Sequence, residues 1–222
     1  GPIHDVTLLF GGRYDKMSDV ESYFSPRLSG MYSVTPALKL RASYGGGFRA
    51  PSFNDMYIDF DHTSFGYRVV GNPDLVPEKS KGSSVGLEYF WAYKVLTNLT
   101  FYRNNFTDMI VDYPVDPIRQ PGTMSYKNID NATINSVELQ SKLYILKNWT
   151  AQFAYNYTKI EEREAAEEVL NMPPHSASIK MNYKFWRGFE LSVRDQFFGS
   201  QKVRQFEPLI GDYVDRLTTK KA

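Results

Sequence analysis

The sequence predicts an all-β chain: an antiparallel, meandering transmembrane β-barrel, represented by an incomplete segment of about nine or ten strands. Three observations carry this. Apolar residues recur with period two, as they do along a strand with one buried or lipid-facing side. Tight and long connections alternate strictly. All three tryptophans, with many other aromatics, collect beside the tight connections.

The elements follow in order. Val6, Leu8, Phe10, Gly12 and Tyr14 make one face of the first strand, against Thr7, Leu9, Gly11 and Arg13. Phe24, Pro26, Leu28, Gly30 and Tyr32 oppose Ser25, Arg27, Ser29 and Met31; Leu38, Leu40, Ala42 and Tyr44 oppose Lys39, Arg41, Ser43 and Gly45. Val85 to Trp91 repeats the pattern, and Val95 to Phe106 does so less cleanly. Val137 to Ile145, Trp149 to Thr158, Ala177 to Phe185 and Phe189 to Gln196 complete the series. Tight connections fall at Val34–Ala37, Ala92–Lys94, Leu146–Asn148 and Arg187–Gly188. Long ones are expected at Lys16–Ser22, Phe48–Lys81, Thr107–Met124, Ile160–Pro174 and from Ser200 onward. Outer-membrane barrels have short turns on the periplasmic side and long loops outside, so residues 48–81 read as a long extracellular loop. Soluble sandwiches and propellers seldom sort loop length by end.

The aromatics near the tight turns are Tyr32, Tyr89, Phe90, Trp91, Tyr93, Tyr144, Trp149, Phe185, Trp186 and Phe189. An interfacial girdle belongs there. The opposite strand faces carry Lys39, Arg41, Glu88, Glu138, Lys142, Lys180, Lys184, Glu190 and Arg194. Charges at such positions are too costly for a dry core and suit a wet lumen.

Composition agrees. The 222 residues are 42% hydrophobic and 15% aromatic, with a mean hydropathy of −0.43. No apolar run reaches the roughly 18 residues of a membrane-spanning helix. The net charge of +1, without a basic block, gives no sign of nucleic-acid binding. There is no cysteine to form disulfides. Gly1-Pro2 looks like the remnant of a cleaved tag. Residues 1–222 are expected to form part of one barrel domain, an internal piece lacking the last strands, with the charged end Arg216–Ala222 outside any terminal aromatic strand.

Several boxes carry a family resemblance. Gly47-Phe48-Arg49-Ala50-Pro51-Ser52-Phe53 is followed by Gly71-Asn72-Pro73-Asp74-Leu75-Val76-Pro77-Glu78-Lys79-Ser80 and then at once by a strand. Phe101 to Ile110, Tyr126-Lys127-Asn128-Ile129, Ser136-Val137-Glu138-Leu139 and Asn171-Met172-Pro173-Pro174-His175 come after. The ordered set resembles TonB-dependent outer-membrane receptors over nearly the whole chain, with the haem and haemoglobin receptors as a possible subgroup. The resemblance implies a barrel of about 22 strands with a plugged lumen, of which this chain would supply part of the second half. It also implies a bacterial outer-membrane location and coupling to the TonB energy-transducing complex through a plug domain outside this sequence. The ligand would be a scarce iron-containing nutrient, haem first, with cobalamin or a ferric siderophore as alternatives.

The boxes have their own physical reading. Pro51 cannot donate to a strand ladder and restricts Ala50, so Phe48-Arg49-Ala50-Pro51 ends a strand. Asn72-Pro73-Asp74-Leu75 is a turn signal that starts the return. Neither box has to touch ligand. In the haem receptors the resemblance points to, a histidine between these boxes binds iron. His62 stands there, one of three histidines, and imidazole suits iron. Tyr57, Phe60, Phe65 and Tyr67 of the same loop offer flat surfaces for a porphyrin. Tyr57 and Tyr67 with His62 are the expected ligand-binding residues, and His62 is the expected ligand of haem iron. An ordinary exposed histidine is the competing reading.

Other signals are discounted. His175 and Ser176 point to opposite faces and make no catalytic pair. His4 belongs to the remnant or a loop. Asp59, Asp61 and Asp74 have no EF-hand spacing. Glu161, Glu162, Glu164, Glu167 and Glu168 form a solvated acidic loop. The Asn-X-Thr triplets at Asn98, Asn131, Asn148 and Asn156 are same-face polar pairs on strands. No nucleophile and base, and no paired carboxylates, suggest catalysis, so no enzyme and no resident cofactor is expected. An outer-membrane hydrolase or a passive porin is the rival from another class. Expected partners are outer-membrane lipid and the TonB complex, with a surface lipoprotein or haem-carrier protein as a further candidate.

Overall fold

A computed structural model describes residues 5–16, 22–116, 119–161, 173–207 and 212–218, with backbone alone for 202–207 and 212–218. The chain meanders through β1 (Val6–Asp15), β2 (Tyr23–Ser33), β3 (Leu38–Arg49), α1 (Phe53–Tyr57), β4 (Asp59–His62), β5 (Tyr67–Val70), β6 (Glu78–Trp91), β7 (Val95–Pro114) and β8 (Thr123–Leu146). It continues through β9 (Trp149–Glu161), β10 (His175–Lys184), β11 (Glu190–Phe198), β12 (Gln201–Glu207) and β13 (Asp212–Thr218). Nine strands pair in the order β1-β2-β3-β6-β7-β8-β9-β10-β11, all antiparallel, and the described sheet does not close. The all-β, meandering barrel architecture read from the sequence is therefore present.

The register shows why the pattern works. Val6, Tyr32, Leu40, Leu87, Leu99, Leu139, Tyr155, Ala177 and Phe197 form one unbroken cross-strand row. One residue away, Thr7, Met31, Arg41, Gly86, Thr100, Glu138, Asn156, Ser176 and Phe198 form a mainly polar row on the other face. Along β6 and β7 the apolar face is the more exposed: Val85 and Phe101 are open while Gly86 and Tyr102 are partly covered. That is the difference between the outside and the inside of a curved wall. Inside, Glu88 is held by Lys39 at 3.2 Å and Arg41 at 2.9 Å.

The apolar band also slips along the strands. It covers Val6–Tyr14 on β1 and Phe189–Phe197 on β11, interrupted there by Asp195, although Val6 and Phe197 share a row. Across the path the band moves by about one residue per strand, the stagger that strands tilted to a barrel axis require.

At the tight-turn end the aromatics lie against one another. Tyr89 meets Trp91 edge-on at 4.4 Å, and Trp149 meets Tyr183 at 6.4 Å. Tyr183, Phe185 and Phe189 stack in series, and Lys142 lies over Tyr144. Ala92 and Tyr93 both have positive φ, 42° and 56°, the conformation of a type I′ hairpin turn, closed by the Lys94 N–H on the Trp91 carbonyl at 2.8 Å.

Three long connections differ from expectation. Phe48 and Arg49 finish β3 and Glu78–Lys81 open β6, so the loop is narrower than residues 48–81 and contains α1 and the β4–β5 hairpin. Most of Thr107–Met124 is strand: β7 and β8 stay paired out to Pro114 and Met124. Long loops can thus be carried on strands that overrun the membrane, where polar residues hide the period. From Gln201 on, the expected loop is a hairpin, β12–β13, and Arg216 lies in β13. The acidic run from Glu162 to Glu168, His4 and the Asn171-Met172 part of its box lie outside the described residues.

Candidate functional site

Residues 50–77, between the two boxes, form a base and a tip. The base starts at α1, whose N-terminus is closed by a reciprocal pair: Ser52 Oγ accepts from the Asp55 N–H and Asp55 Oδ2 from the Ser52 N–H. Such a box satisfies two donors that a helix start leaves open. Arg49 then links three elements. Its guanidinium lies 3.1 Å from Glu78 on β6 and 3.5 Å from Asp55 on α1, and donates to the Ile110 carbonyl on β7 at 3.4 Å. Glu78 also accepts the Ile110 N–H at 3.2 Å.

The second box is an anchored turn. Asn72 Oδ1 accepts from the Asp74 N–H at 3.0 Å, and Asn72 Nδ2 donates to the Tyr126 carbonyl on β8 at 2.9 Å. The Gly71 and Asn72 N–H groups bond back to Ile58 and Asp55 carbonyls. Leu75 is buried, and Pro73 precedes Asp74 as part of the turn. Ala50 and Pro51 carry the chain from β3 to the Ser52 cap.

Asn128 completes the base. Its amide accepts from the Val76 N–H and donates to the Val76 and Asp108 carbonyls, at 2.9, 2.9 and 2.7 Å. Beneath these bonds Val111, Ile129 and Ala132 are buried, with Phe106, Met109 and Ile160 against them. Two glycines permit the approach. A Cβ on Gly122, whose φ is +78°, would meet the Gly66 carbonyl oxygen at 2.1 Å, and one on Gly71 would meet Met56 backbone at 2.5 Å. There β5 joins β8 in a short parallel pairing.

The tip is the β4–β5 hairpin. His62 pairs with Tyr67 in register, and His62 Nδ1 is 3.0 Å from the Tyr67 hydroxyl. Phe60 lies 4.3 Å and Phe65 5.7 Å from the imidazole. Phe65 is 81% exposed. The structure therefore brings His62 and Tyr67 together with Phe60 and Phe65. Tyr57 instead packs on Phe53 at 5.0 Å. Arg68 grips both carboxylate oxygens of Asp59, which keeps the guanidinium charged. Asp61 accepts the Thr63 N–H at 3.0 Å, and that bond holds its carboxyl below the usual carboxylate range. Asp59 and Asp61 thus have structural partners within the hairpin.

Sequence reasoning passed over Asn128, Asp55 and Glu78 as anchors. Asn128 and Glu78 stood inside quoted boxes, but their bonds run to distant backbone, which no local spacing reveals.

The family model described as TonB dependent receptor-like, beta-barrel matches residues 2–219. The chain belongs to the TonB-dependent receptor family. Its strands are thus those of a bacterial outer-membrane β-barrel. Among its relatives, an iron-regulated outer membrane virulence protein of Vibrio cholerae is 30% identical over 188 residues, covering 80% of this chain and 29% of the relative. A heme/hemopexin utilization protein C of Haemophilus influenzae is 26% identical over 195 residues, 80% of this chain and 26% of that protein. The vitamin B12 transporter BtuB of Vibrio vulnificus is 39% identical over 100 residues, 45% and 14%. A ferric enterobactin receptor of Pseudomonas aeruginosa superposes with a TM-score of 0.73 at 18% identity, over 96% of this chain and 33% of that one; this likeness concerns the fold. The chain spans 29% of the length of the first of these TonB-dependent relatives.

Proposed function

We propose that the protein is an energy-coupled importer that binds an iron-containing nutrient on the loop between β3 and β6, and that the nutrient is haem. One observation carries the reading: His62 stands at an exposed hairpin tip with Tyr67 on its Nδ1 and two phenyl rings beside it. A hydrogen bond to one ring nitrogen orients the imidazole and leaves the other for iron. Among the described residues Nε2 has no protein partner. Phe60 and Phe65 offer the flat apolar contact that a porphyrin face needs. The name of the Haemophilus influenzae relative points the same way. Import is coupled through the TonB complex by a plug domain, with a surface lipoprotein or haem carrier as a further partner. The protein changes no bond in its cargo.

A cobalamin or ferric-siderophore ligand is the second reading. It is favoured by the 39% identity over 100 residues to a vitamin B12 transporter. The deciding experiment is a haem titration of the full-length receptor followed in the Soret band, with wild type and His62→Ala. A shift seen with wild type alone supports His62 as iron ligand, and growth on haem as sole iron source then fails in the variant. Equal shifts, or none in either protein, exclude it.

A further inference from the structure

The lumen face of the wall treats its cations in two ways. On β3 and β6, Lys39 and Arg41 share one carboxylate, Glu88, at 3.2 and 2.9 Å. On β8 to β11 a single cross-strand row reads Lys142, Gln152, Lys180 and Arg194. The row lies on the inner face by parity, an even number of residues along each strand from Glu138, Asn156, Ser176 and Phe198. Among the described residues none of its three cations has an acidic partner.

The flanking rows supply no counter-charge. Gln140, Ala154, Ser178 and Gln196 lie towards the loops, and Tyr144, Thr150, Asn182 and Ser192 towards the tight turns. The nearest carboxylates are engaged elsewhere: Glu138 accepts from Tyr102 and Gln140, and Glu190 is 3.9 Å from Lys184. Lys180 and Arg194 stand directly opposite each other, about 5 Å apart at Cβ, and like charges so placed destabilise a sheet. Lys142 is two strand spacings from Lys180, roughly 10 Å. A recess of about 340 Å³ runs along the row, lined by all four residues. A concave wall with one sign of charge focuses its field and concentrates counter-ions.

We propose that this row is an exit-side site for cargo bearing two or more carboxylates. Lys180 and Arg194 clamp one carboxylate, Lys142 takes the other, and the Gln152 amide donates between them. The proposal rests on the import reading above but not on His62. Position selects the occupant. The row lies near the tight turns that follow Leu146 and precede Glu190, while the His62 hairpin stands at the other end of the strands. Anionic cargo admitted at the loops therefore meets the row last. Charge-assisted bonds hold a carboxylate there more strongly than the neutral rows do, and a bound anion relieves the repulsion between Lys180 and Arg194.

The test uses cells whose only haem receptor is the full-length protein. Surface binding of radiolabelled haem is measured in de-energised cells and its uptake in energised ones. The triple variant Lys142→Gln, Lys180→Gln, Arg194→Gln is expected to keep the binding Kd and to lose at least about tenfold in uptake rate. The charge-keeping variant Lys142→Arg, Lys180→Arg, Arg194→Lys is expected to restore uptake, and haem dimethyl ester, which has no free carboxylate, to show no difference between wild type and either variant. Heat-modifiable mobility on gels shows that the barrels are folded. If the glutamine variant does not fold, Lys180→Gln alone is expected to show the same split at about threefold. Unchanged uptake, an equal loss with the ester, or a loss shared by the charge-keeping variant would each overturn the proposal. So would a rise in vancomycin sensitivity of the glutamine variant, the sign that these charges hold a protein segment closing the lumen. If wild type imports no haem, the haem reading fails and ferric citrate, a polycarboxylate, serves as the probe; import of neither overturns the proposal.

Discussion

The base and the tip of the loop between β3 and β6 are built on opposite terms. At the base nearly every polar group is spoken for: Arg49 joins β3, α1, β6 and β7, and Asn72 and Asn128 close on the backbone of β8 and of the loop itself. At the tip Phe65, Tyr67 and Phe60 are left open around His62. The base contains what little packed core the described residues have; the tip buries no residue. The difference teaches that position and recognition are separately encoded. The base fixes where the hairpin stands, and the aromatic cluster at the tip can change at little cost to that placement.

That contrast can be broken most forcefully at Gly122. Gly122→Val puts a β-branched residue at φ +78° against the Gly66 carbonyl, a strain of more than about 3 kcal/mol. The hairpin should leave β8, with rapid hydrogen exchange at the Arg68 amide, which now donates to the Gly122 carbonyl at 3.0 Å. Slow exchange there would mean that the contact is not needed. A smaller effect is expected from Asn128→Ala, which removes three hydrogen bonds and should lower stability by about 2 kcal/mol, read as an earlier melting transition with the barrel still inserted. If the base alone sets position, ligand affinity should fall with it.

His62→Ala sharpens the comparison from the other side. His62 is half-buried against Tyr67 and Phe60 but touches nothing at the base, so its loss should cost less than about 1 kcal/mol of stability, while any haem signal disappears. A large loss of stability would show that the tip is structural after all. The smallest effect is pH-dependent. Asp61 has a depressed pKa because its carboxylate accepts the Thr63 N–H. A depressed acid pKa contributes stability above the unfolded value and loses it as pH falls through the folded one. The turn should therefore hold at neutral and mildly acid pH and loosen only in strong acid, seen as faster exchange of the Thr63 amide. Loosening that begins near neutrality would show that the Asp61–Thr63 bond does not hold the turn.

The wall was legible because lipid on one side and a wet lumen on the other impose period two. The face assignments from β1 to β11 follow the register except at Ile145, where β8 bulges against β9, and the tight turns fall where they were read. The overrun of β7 and β8 was missed because beyond the membrane both faces meet protein or water, and Asp108, Asp112 and Asn128 break the alternation. The β12–β13 hairpin was missed because its residues show no clean apolar face. In the loop, His62, Tyr57 and Tyr67 were read together as candidate ligand residues; their separate placement was not legible, because the hairpin register sets Tyr67 beside His62 while α1 turns Tyr57 toward Phe53. The anchors Arg49 and Asn72 were read as strand-end punctuation, and the bonds they make at the base agree with that reading.

The slip of the apolar band by about one residue per strand has a consequence for how such a chain can change length. Every strand carries an odd–even parity that its neighbours share. A single inserted residue early in β7 would turn each later side chain of that strand inside out, placing lumen-side residues such as Thr100 and Tyr102 where acyl chains belong. Two inserted residues would keep the parity but break the stagger. Variation in length is therefore confined to the loops beyond the paired wall, and a library built to retarget the receptor can vary the β4–β5 tip, which makes none of the base contacts, while leaving the wall's count untouched.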